Sequence, residues 1–240
     1  MTDKKITPTD VRNDFPEEKR QNDRQAHLWA YLVVRPLSFY LTPFFVNRGI
    51  SANVVTGIGL VVLLSALTAV LAAARYETML IVGAILINVW YLLDFVDGNI
   101  ARYTNLESAF GAFFDWYVGI MYHTLLPLCV GTALYLSGTY SLIPVDPVWW
   151  LILAVAWVTA GLLRRLTAQK VSLLFEDSDK ANGGSGTLEM LAGAVASFKA
   201  PTLLVFAVVG AVDVWILLYT AYNLSATSVQ LILNVRRIRG

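Results

Sequence analysis

The sequence predicts an all-α integral membrane protein with six transmembrane helices, an N-terminal interfacial helix and both termini in the cytoplasm. Three observations lead to this fold class: the composition, the long uncharged stretches and the placement of the cationic residues. Of the 240 residues, 57% are hydrophobic and 15% are charged, with a mean hydropathy of +0.59. Soluble domains contain about 45–50% apolar and about 25% charged residues, so this composition argues against a soluble enzyme. The single cysteine, Cys129, excludes a disulfide framework and a cysteine-rich metal site.

The chain begins with a segment that is too polar to cross a membrane. Residues 1–28 have no early apolar stretch of the signal-peptide kind and are expected to form a cytoplasmic N-terminus. Residues 29–47 are apolar but contain Arg35, Pro36 and Pro43, which favours an interfacial segment over a seventh span. Residues 48–236 are then expected to form the six-helix domain.

Six stretches of this domain are candidates for spans, because crossing about 30 Å of hydrocarbon takes roughly 20 apolar residues. The fifth is the least regular: residues 200–212 are too few alone, so the helix is expected to run back through Lys199 to Met190. Residues 176–187 are polar and rich in Gly and Ser, which is typical of a mobile loop. The predicted spans are Val54–Ala74, Thr78–Leu93 with a helical extension to about Arg102, a helix within Trp116–Val145 that begins near Ser108, Val148–Leu163, Met190–Val212 and Val214–Val235.

The Lys and Arg residues set the orientation of these spans. An even number of spans places both termini on one side, and that side then carries every Lys and Arg except Arg75. Because cytoplasmic loops are enriched in Lys and Arg, both termini and the 176–187 loop are expected in the cytoplasm. The protein is therefore expected to be a multi-pass protein of the cell membrane.

Three aspartates lie inside or at the ends of the predicted spans. A carboxylate at this depth is costly unless it is paired, bound to metal or facing water. Asp94 and Asp97 lie on one helix face, and Asp115 lies in the next span, so the three can meet across a helical hairpin near the cytoplasmic surface. A stray interfacial aspartate would explain Asp94 alone, but not all three. Oxygen ligands favour Mg²⁺ or Mn²⁺ over zinc, so we expect a hard-cation site.

These aspartates belong to a longer spaced motif. Seven of the eight fixed positions in the pattern D-x2-D-G-x2-A-R-x8-G-x3-D-x3-D are matched. The matched positions are Asp94, Asp97, Gly98, Ala101, Arg102, Gly111 and Asp115. On this motif the chain resembles the CDP-alcohol phosphotransferase (CDP-alcohol phosphatidyltransferase) family. Asn53-Val-Val-Thr56, at the start of the first span, resembles a further element of that family, although Ala52 stands in place of its usual proline.

The resemblance implies a transferase of phospholipid synthesis. Such a protein moves a phospho-group, often phosphatidyl, from a CDP-linked lipid donor to a small alcohol and releases CMP. The resemblance also implies two Mg²⁺ or Mn²⁺ ions, held by Asp94, Asp97 and Asp115, that bridge the pyrophosphate. It implies a homodimer in the lipid bilayer, and no nucleic-acid partner is expected. The residues that it places against the CDP moiety are Asn53, Thr56, Gly98, Arg102 and Ser108.

Several of these residues have simpler structural interpretations when each is taken alone. Gly98 and Gly111 are then helix-packing residues, and Arg102 is a snorkelling interfacial arginine. Ser108 alone is equally well explained as a helix N-cap. Only the joint spacing favours a nucleotide site over these separate roles.

The eighth motif position departs from the family pattern. Gly119 stands where the family has a fourth aspartate, to which the resemblance assigns the roles of general base and second-metal ligand. Three possibilities stay open: metal and water activate the alcohol, another side chain such as His123 or Tyr122 replaces the base, or the protein binds nucleotide without efficient turnover. Histidine suits base catalysis near neutral pH. His123 would lie roughly 12 Å along the helix from Asp115, which favours a packing or hydrogen-bonding role.

The acceptor site is predicted from three cations. Arg164 and Arg165 end the fourth span, and Lys199 lies near or within the fifth. If all three face one cytoplasmic cavity, they suit an alcohol that carries a phosphate. Positive-inside anchoring is the alternative for either arginine taken singly.

Two other functions are alternatives to the transferase. A catalytically weakened relative that binds CDP-lipid is supported only by Gly119. An ion-coupled transporter would also use buried carboxylates, but it would spread charged residues near mid-depth through several spans. Here the charged residues cluster at one face, which disfavours the transporter.

Overall fold

The computed structural model describes residues 5–137, 142–174 and 187–239, and every regular element within these ranges is a helix. The predicted mobile loop at 176–187 lies outside the described residues, except for Thr187, which begins a helix. A short π-helical turn, Ala30–Val34, leads directly into the third α-helix. The helices are α1 (Pro8–Asp14), α2 (Glu17–Ala26), α3 (Arg35–Val46), α4 (Ala52–Ala72), α5 (Thr78–Thr104), α6 (Ala109–Ser137), α7 (Val148–Leu174), α8 (Thr187–Ser197), α9 (Lys199–Val208) and α10 (Val212–Arg239).

Five helices, α4, α5, α6, α7 and α10, are long and apolar enough to cross a membrane. The pair α8 and α9 makes a sixth span if the two are taken together, but they are bent by 42°. The predicted fifth span is therefore not one continuous helix through Lys199. Pro201 explains the break, because it has no N–H to donate to the Ser197 carbonyl one turn earlier and its ring crowds that carbonyl. The all-helical membrane prediction is confirmed, with five to six spans.

The polar N-terminus forms two helices that composition alone did not predict. Thr7 caps α1 through a capping box, in which its hydroxyl accepts from the Asp10 N–H and the Asp10 carboxylate accepts from the Thr7 N–H. Val11 and Phe15 pack against Phe39 of α3. Helix α3 occupies the predicted interfacial segment, and its position relative to the bilayer stays a prediction.

The turn between α5 and α6 sets the relative position of the motif residues. Helix α5 ends at Asn105, whose left-handed backbone (φ 52°) ends the helix; asparagine tolerates this conformation better than most residues. Helix α6 then begins at Ala109, close to the predicted start near Ser108. The turn is short, but α5 and α6 do not pack side by side along their lengths, because α4 packs against both of them.

The main core joins the long helices at one end of the bundle. Leu63 of α4, Ile87 of α5, Leu126 of α6 and Trp215 of α10 are fully buried in it. Helices α6 and α7 approach closely at Gly131, where an added Cβ would lie 2.7 Å from the Ala154 Cβ and from the Trp150 carbonyl oxygen. This packed end holds the other ends of the helices in place around a cavity.

Candidate active site

A cavity lies at the end of the bundle opposite the core. Along α7 the buried Trp157 precedes the arginines that line the cavity, and along α10 the buried Trp215 precedes the cavity-lining Tyr222. The cavity volume is about 870 Å³, within the range of about 300–1,000 Å³ that is usual for small-molecule sites. The predicted site residues that line it are Asp94, Arg102, Gly119, His123, Arg164, Arg165 and Lys199. The predicted site residues outside its lining, on α4, α5, α6 and the α5–α6 turn, are Asn53, Thr56, Asp97, Gly98, Ser108 and Asp115.

The three aspartates of the motif come together across the α5–α6 hairpin. The Asp94 and Asp115 carboxyl groups are within hydrogen-bonding reach of each other, and both interact electrostatically with Asp97. Asp97 is 4% exposed and accepts a hydrogen bond of 2.7 Å from the Thr56 hydroxyl of α4. Helix α4 therefore supplies a partner for the most deeply buried of the three carboxylates.

The chemistry of these carboxylates fits a hard divalent cation, because all their donor atoms are oxygens. Their arrangement is not a finished metal site. In the part of the chain that the structure describes, no group of three or more His, Cys, Asp or Glu side chains could hold a metal ion. Carboxylates without a cation repel one another, and Asp97 is held by the Thr56 hydroxyl instead. Side-chain rotation is thus needed to form the predicted three-carboxylate site.

Arg102 lies over Gly98 at the edge of the cavity. A Cβ at position 98 would lie 3.0 Å from Arg102 Nη2, so the glycine makes room for the guanidinium. Arg102 Nη2 donates to Asn99 Oδ1 at 3.1 Å. Arg102 Nε is buried and has no hydrogen-bond partner among the described residues. The arginine therefore lines the cavity and keeps one buried donor without a partner in the described part of the chain.

Ser108 and Gly111 have structural roles at the start of α6. Ser108 Oγ accepts from the Gly111 N–H at 3.0 Å, which is the N-cap interaction. A Cβ at position 111 would lie 2.8 Å from Asn53 Oδ1, so a larger residue there would require the Asn53 side chain of α4 to shift. The N-cap interpretation of Ser108 is confirmed, and contact between Ser108 and CDP stays a prediction.

Gly119 faces open space within the bundle. No heavy atom lies within 4 Å of a Cβ added at this position, and the residue lines the cavity. Close packing therefore does not account for this glycine.

His123, one turn further along α6, is paired with Lys199 of α9. Lys199 Nζ lies 2.7 Å from His123 Nδ1 and 4.3 Å from the Tyr122 ring centroid, and Lys199 is 6% exposed. An ammonium group only donates hydrogen bonds, so with Lys199 protonated His123 Nδ1 is the acceptor and Nε2 carries the hydrogen. In that state His123 presents a donor, not a base. The His123–Lys199 contact was not predicted, since the two residues are 76 positions apart.

Two arginines of α7 complete this side of the cavity. Arg164 and Arg165 line it together with Lys199, and Arg164 Nη1 donates to the Tyr222 hydroxyl of α10 at 3.4 Å. The Tyr222 hydroxyl in turn donates to the Ala192 carbonyl of α8 at 2.6 Å. The three cations predicted for the acceptor thus share one cavity.

Sequence reasoning missed the cavity residues supplied by the N-terminal helices and α3. Lys19, Asp23 and His27 of the α2 region and Arg35 of α3 line the cavity. Arg35 Nη2 and Asp23 Oδ2 form an ion pair of 2.8 Å. Burial lowers the pKa of Lys19 and of His27. The available signal was Arg35 itself, a charge inside an apolar segment, which was interpreted only as an interruption of a span.

Comparison with known proteins gives one family. The model of the CDP-alcohol phosphatidyltransferase family matches residues 49–233. A search of curated proteins found no significant match. The family match covers the carboxylates, Arg102 and the cations of α7 and α9, and it begins after α3.

Proposed function

Since the chain belongs to the CDP-alcohol phosphatidyltransferase family, we propose that it transfers a phosphatidyl or related phospho-group from a CDP-linked lipid to a small alcohol and releases CMP. The observation that carries this proposal is the cavity, which Asp94 lines together with the cations of α5, α7 and α9, while Asp115 of α6 contacts Asp94 from outside the lining. A diphosphate with a bound divalent cation needs both kinds of group, because phosphate pairs with guanidinium and the cation pairs with carboxylate.

The donor would bind along α5. Arg102 would donate to the diphosphate through its free Nε–H, and Gly98 would let the nucleotide approach the backbone. Thr56 holds Asp97 through its hydroxyl, and a bound cation would take its place as the partner of that carboxylate. Mg²⁺ or Mn²⁺, as two ions held by Asp94, Asp97 and Asp115, would neutralise the diphosphate charge and polarise the reacting phosphorus.

The reaction exchanges one phosphorus–oxygen bond for another. The acceptor oxygen forms a bond to the phosphorus next to the lipid, the bond from that phosphorus to the CMP oxygen breaks, and CMP leaves with the electron pair. The acceptor hydroxyl must also lose its proton, which would pass to water or to a phosphate oxygen of the departing CMP. Position 119 offers no base for this proton, and His123 Nδ1 already faces Lys199 Nζ.

The acceptor would bind between α7 and α9. Arg164, Arg165 and Lys199 line the same part of the cavity as His123, whose Nε2–H is a further donor. Fixed cations that are partly shielded from water favour an anionic ligand. These contacts support an acceptor alcohol that carries a phosphate.

A second candidate function is a catalytically weakened relative that binds CDP-lipid. The open space beside Gly119 supports it, since no heavy atom of the described residues lies within 4 Å of a Cβ added at this position. The chain would then keep the donor site while the proton-transfer step is slow.

The cellular setting is part of the proposal. The cationic residues support a cavity that opens to the cytoplasm and both termini on that side. The proposal extends to phospholipid synthesis in the cell membrane and to a homodimer, which the resemblance to the family implies.

The decisive experiment is a CMP-release assay on the purified chain. The donor is CDP-diacylglycerol with Mg²⁺, and the acceptors are a panel of alcohols, each with and without a phosphate. Release with a phosphorylated alcohol only, together with a higher KM for that alcohol in Lys199→Ala, would support the transferase and its acceptor site. CDP binding without release from any alcohol would favour the weakened relative. A chain that neither binds CDP nor releases CMP would contradict both candidate functions.

A further inference from the structure

Arg35, which lies outside both the motif and the family match, shares a hydrogen-bond partner with Arg102 of the motif. Arg35 Nη1 and Arg102 Nη2 donate to the same atom, Asn99 Oδ1, each at 3.1 Å. The other end of the Asn99 amide donates to Ser38 Oγ at 2.9 Å and to Thr42 Oγ1 at 3.3 Å. Asn99 is therefore fixed by α3, and it holds two guanidinium groups side by side at the cavity.

The Arg35 guanidinium is held in place but keeps free donors. Its Nε and Nη2 both donate to Asp23 Oδ2, at 2.9 and 2.8 Å. The Arg35 Cζ atom lies 4.4 Å from the Phe15 ring centroid and 4.3 Å from the Phe95 ring centroid. Three of its five N–H groups are used by Asp23 and Asn99, so two remain. The fold has thus already ordered the Arg35 side chain, so a phosphate ligand would not have to bear that entropic cost.

Few carboxylates contact the two arginines directly, although Asp94, Asp97 and Glu107 interact with them at longer range. Asp23 is the only carboxylate within 4.0 Å of either guanidinium in the described part of the chain. Two guanidinium groups bonded to one amide oxygen repel each other, and Arg102 Nε is buried without a partner. An anion placed between the two arginines would relieve the repulsion and satisfy this donor.

We infer that Arg35 is a second ligand of the donor diphosphate, contributed by α3 and acting beside Arg102. The inference rests on the proposed function, because the diphosphate is that of the CDP-linked donor. Asn99 orients the two arginines, and Asp23 anchors Arg35 from α2. The N-terminal segment that precedes the family match is then part of the donor site.

Two substitutions that break the same ion pair separate a binding role from a structural role. Arg35→Lys keeps the charge, but one ammonium cannot hold Asp23, Asn99 and a phosphate at once. Asp23→Asn leaves the guanidinium in place and removes its competing carboxylate. Arg48→Lys is the matched control, since Arg48 donates to the Phe44 carbonyl, stacks on the Phe44 ring and does not line the cavity.

The measurement is calorimetric titration of the full chain in lipid nanodiscs with Mg²⁺, using CDP and cytidine as ligands. We expect Arg35→Lys to weaken CDP binding by about tenfold or more, the size typical of a lost hydrogen bond between charged groups. Cytidine binding should stay within about twofold, because cytidine has no phosphate. Asp23→Asn should increase the affinity for CDP, because it removes the competing carboxylate, and Arg48→Lys should not change it.

An equal loss of CDP affinity in Arg35→Lys and Asp23→Asn, or an equal loss for CDP and cytidine, would overturn the inference in favour of a structural ion pair. If Arg35→Lys does not fold, Asp23→Asn still decides: increased CDP affinity supports the inference, and unchanged or reduced affinity overturns it. Normal CDP binding by both the parent and Arg35→Lys would overturn this inference alone. Absence of CDP binding by the parent would overturn the inference and the proposed function together.

Discussion

Replacing Gly119 by aspartate tests whether the missing carboxylate limits catalysis. Asp115 and position 119 are one helical turn apart, so the new carboxyl group would lie about 6 Å further along α6. Position 119 lines the cavity, and its added Cβ meets nothing within 4 Å. The side chain can therefore enter the cavity from which the acceptor hydroxyl would approach.

The expected increase in rate follows from the usual contribution of a general base to catalysis. General-base assistance contributes about 10²–10⁴ in rate, and we expect Gly119→Asp to raise CMP release by at least about tenfold. Overpacking, which costs about 1–3 kcal/mol where a core is full, is not expected in this open space. The cost should be electrostatic, because a further carboxylate joins Asp94 and Asp115. The melting temperature should therefore fall in EDTA and recover with Mg²⁺.

The assay compares initial rates of CMP release for the parent, Gly119→Asp and Gly119→Asn with one alcohol and saturating Mg²⁺. Asparagine has the same shape but accepts no proton at neutral pH, so it should not accelerate the reaction. A fully active parent, with a folded Gly119→Asp variant that is no faster, would refute the reasoning. His123→Ala would then be the next variant, and its inactivity would show that the base lies elsewhere on α6.

Three further predictions test the metal site, the packing and the pH response. Asp97→Asn should abolish Mg²⁺-dependent CDP binding while the chain stays folded; unchanged affinity with and without EDTA would contradict the metal assignment. Gly131→Ala should lower the melting temperature, at a cost of about 1–3 kcal/mol, because its Cβ would lie 2.7 Å from Ala154 Cβ. Gly119→Ala should not lower the melting temperature. Equal changes in the melting temperatures of the two variants would show that the space around each glycine does not determine the cost. Burial lowers the pKa of His27 below its ordinary 6.5, so the unfolded chain binds this proton more readily and stability should fall as the pH drops below about 6.5. His27→Gln should flatten that decline in melting temperature, and parallel curves would exclude a contribution from His27.

Sequence alone determined the features that depend on neighbouring residues. A helix that crosses hydrocarbon must be apolar over its whole length, so α4, α5 and α10 appeared directly as uncharged stretches. The motif from Asp94 to Asp115 could be recognised because its positions lie at fixed spacing within two consecutive helices and the short turn between them. The N-cap at Ser108 was likewise within reach, since its partner is only three residues away.

Polar segments were harder to interpret, because burial and not composition decides their structure. Residues 1–28 contain α1 and α2, which are held by contacts such as Phe15 against Phe39 that no local pattern reveals. For the same reason, the sequence indicates only that Arg35 interrupts an apolar segment and not that it has a buried partner. A charged residue in an apolar segment either faces water or meets a distant partner, and only Asp23 and Asn99 in the folded chain decide between the two.

Tertiary structure alone decided which side chains meet at the cavity. Lys199 reaches His123 across 76 positions of sequence because the bend between α8 and α9 and the packing of α6 bring the two together. The open space beside Gly119 is likewise a property of several helices and not of its neighbours in sequence. Helix formation needs contacts three or four residues apart, whereas the shape of a cavity depends on how whole helices pack, and that packing set the positions of the cations and carboxylates here.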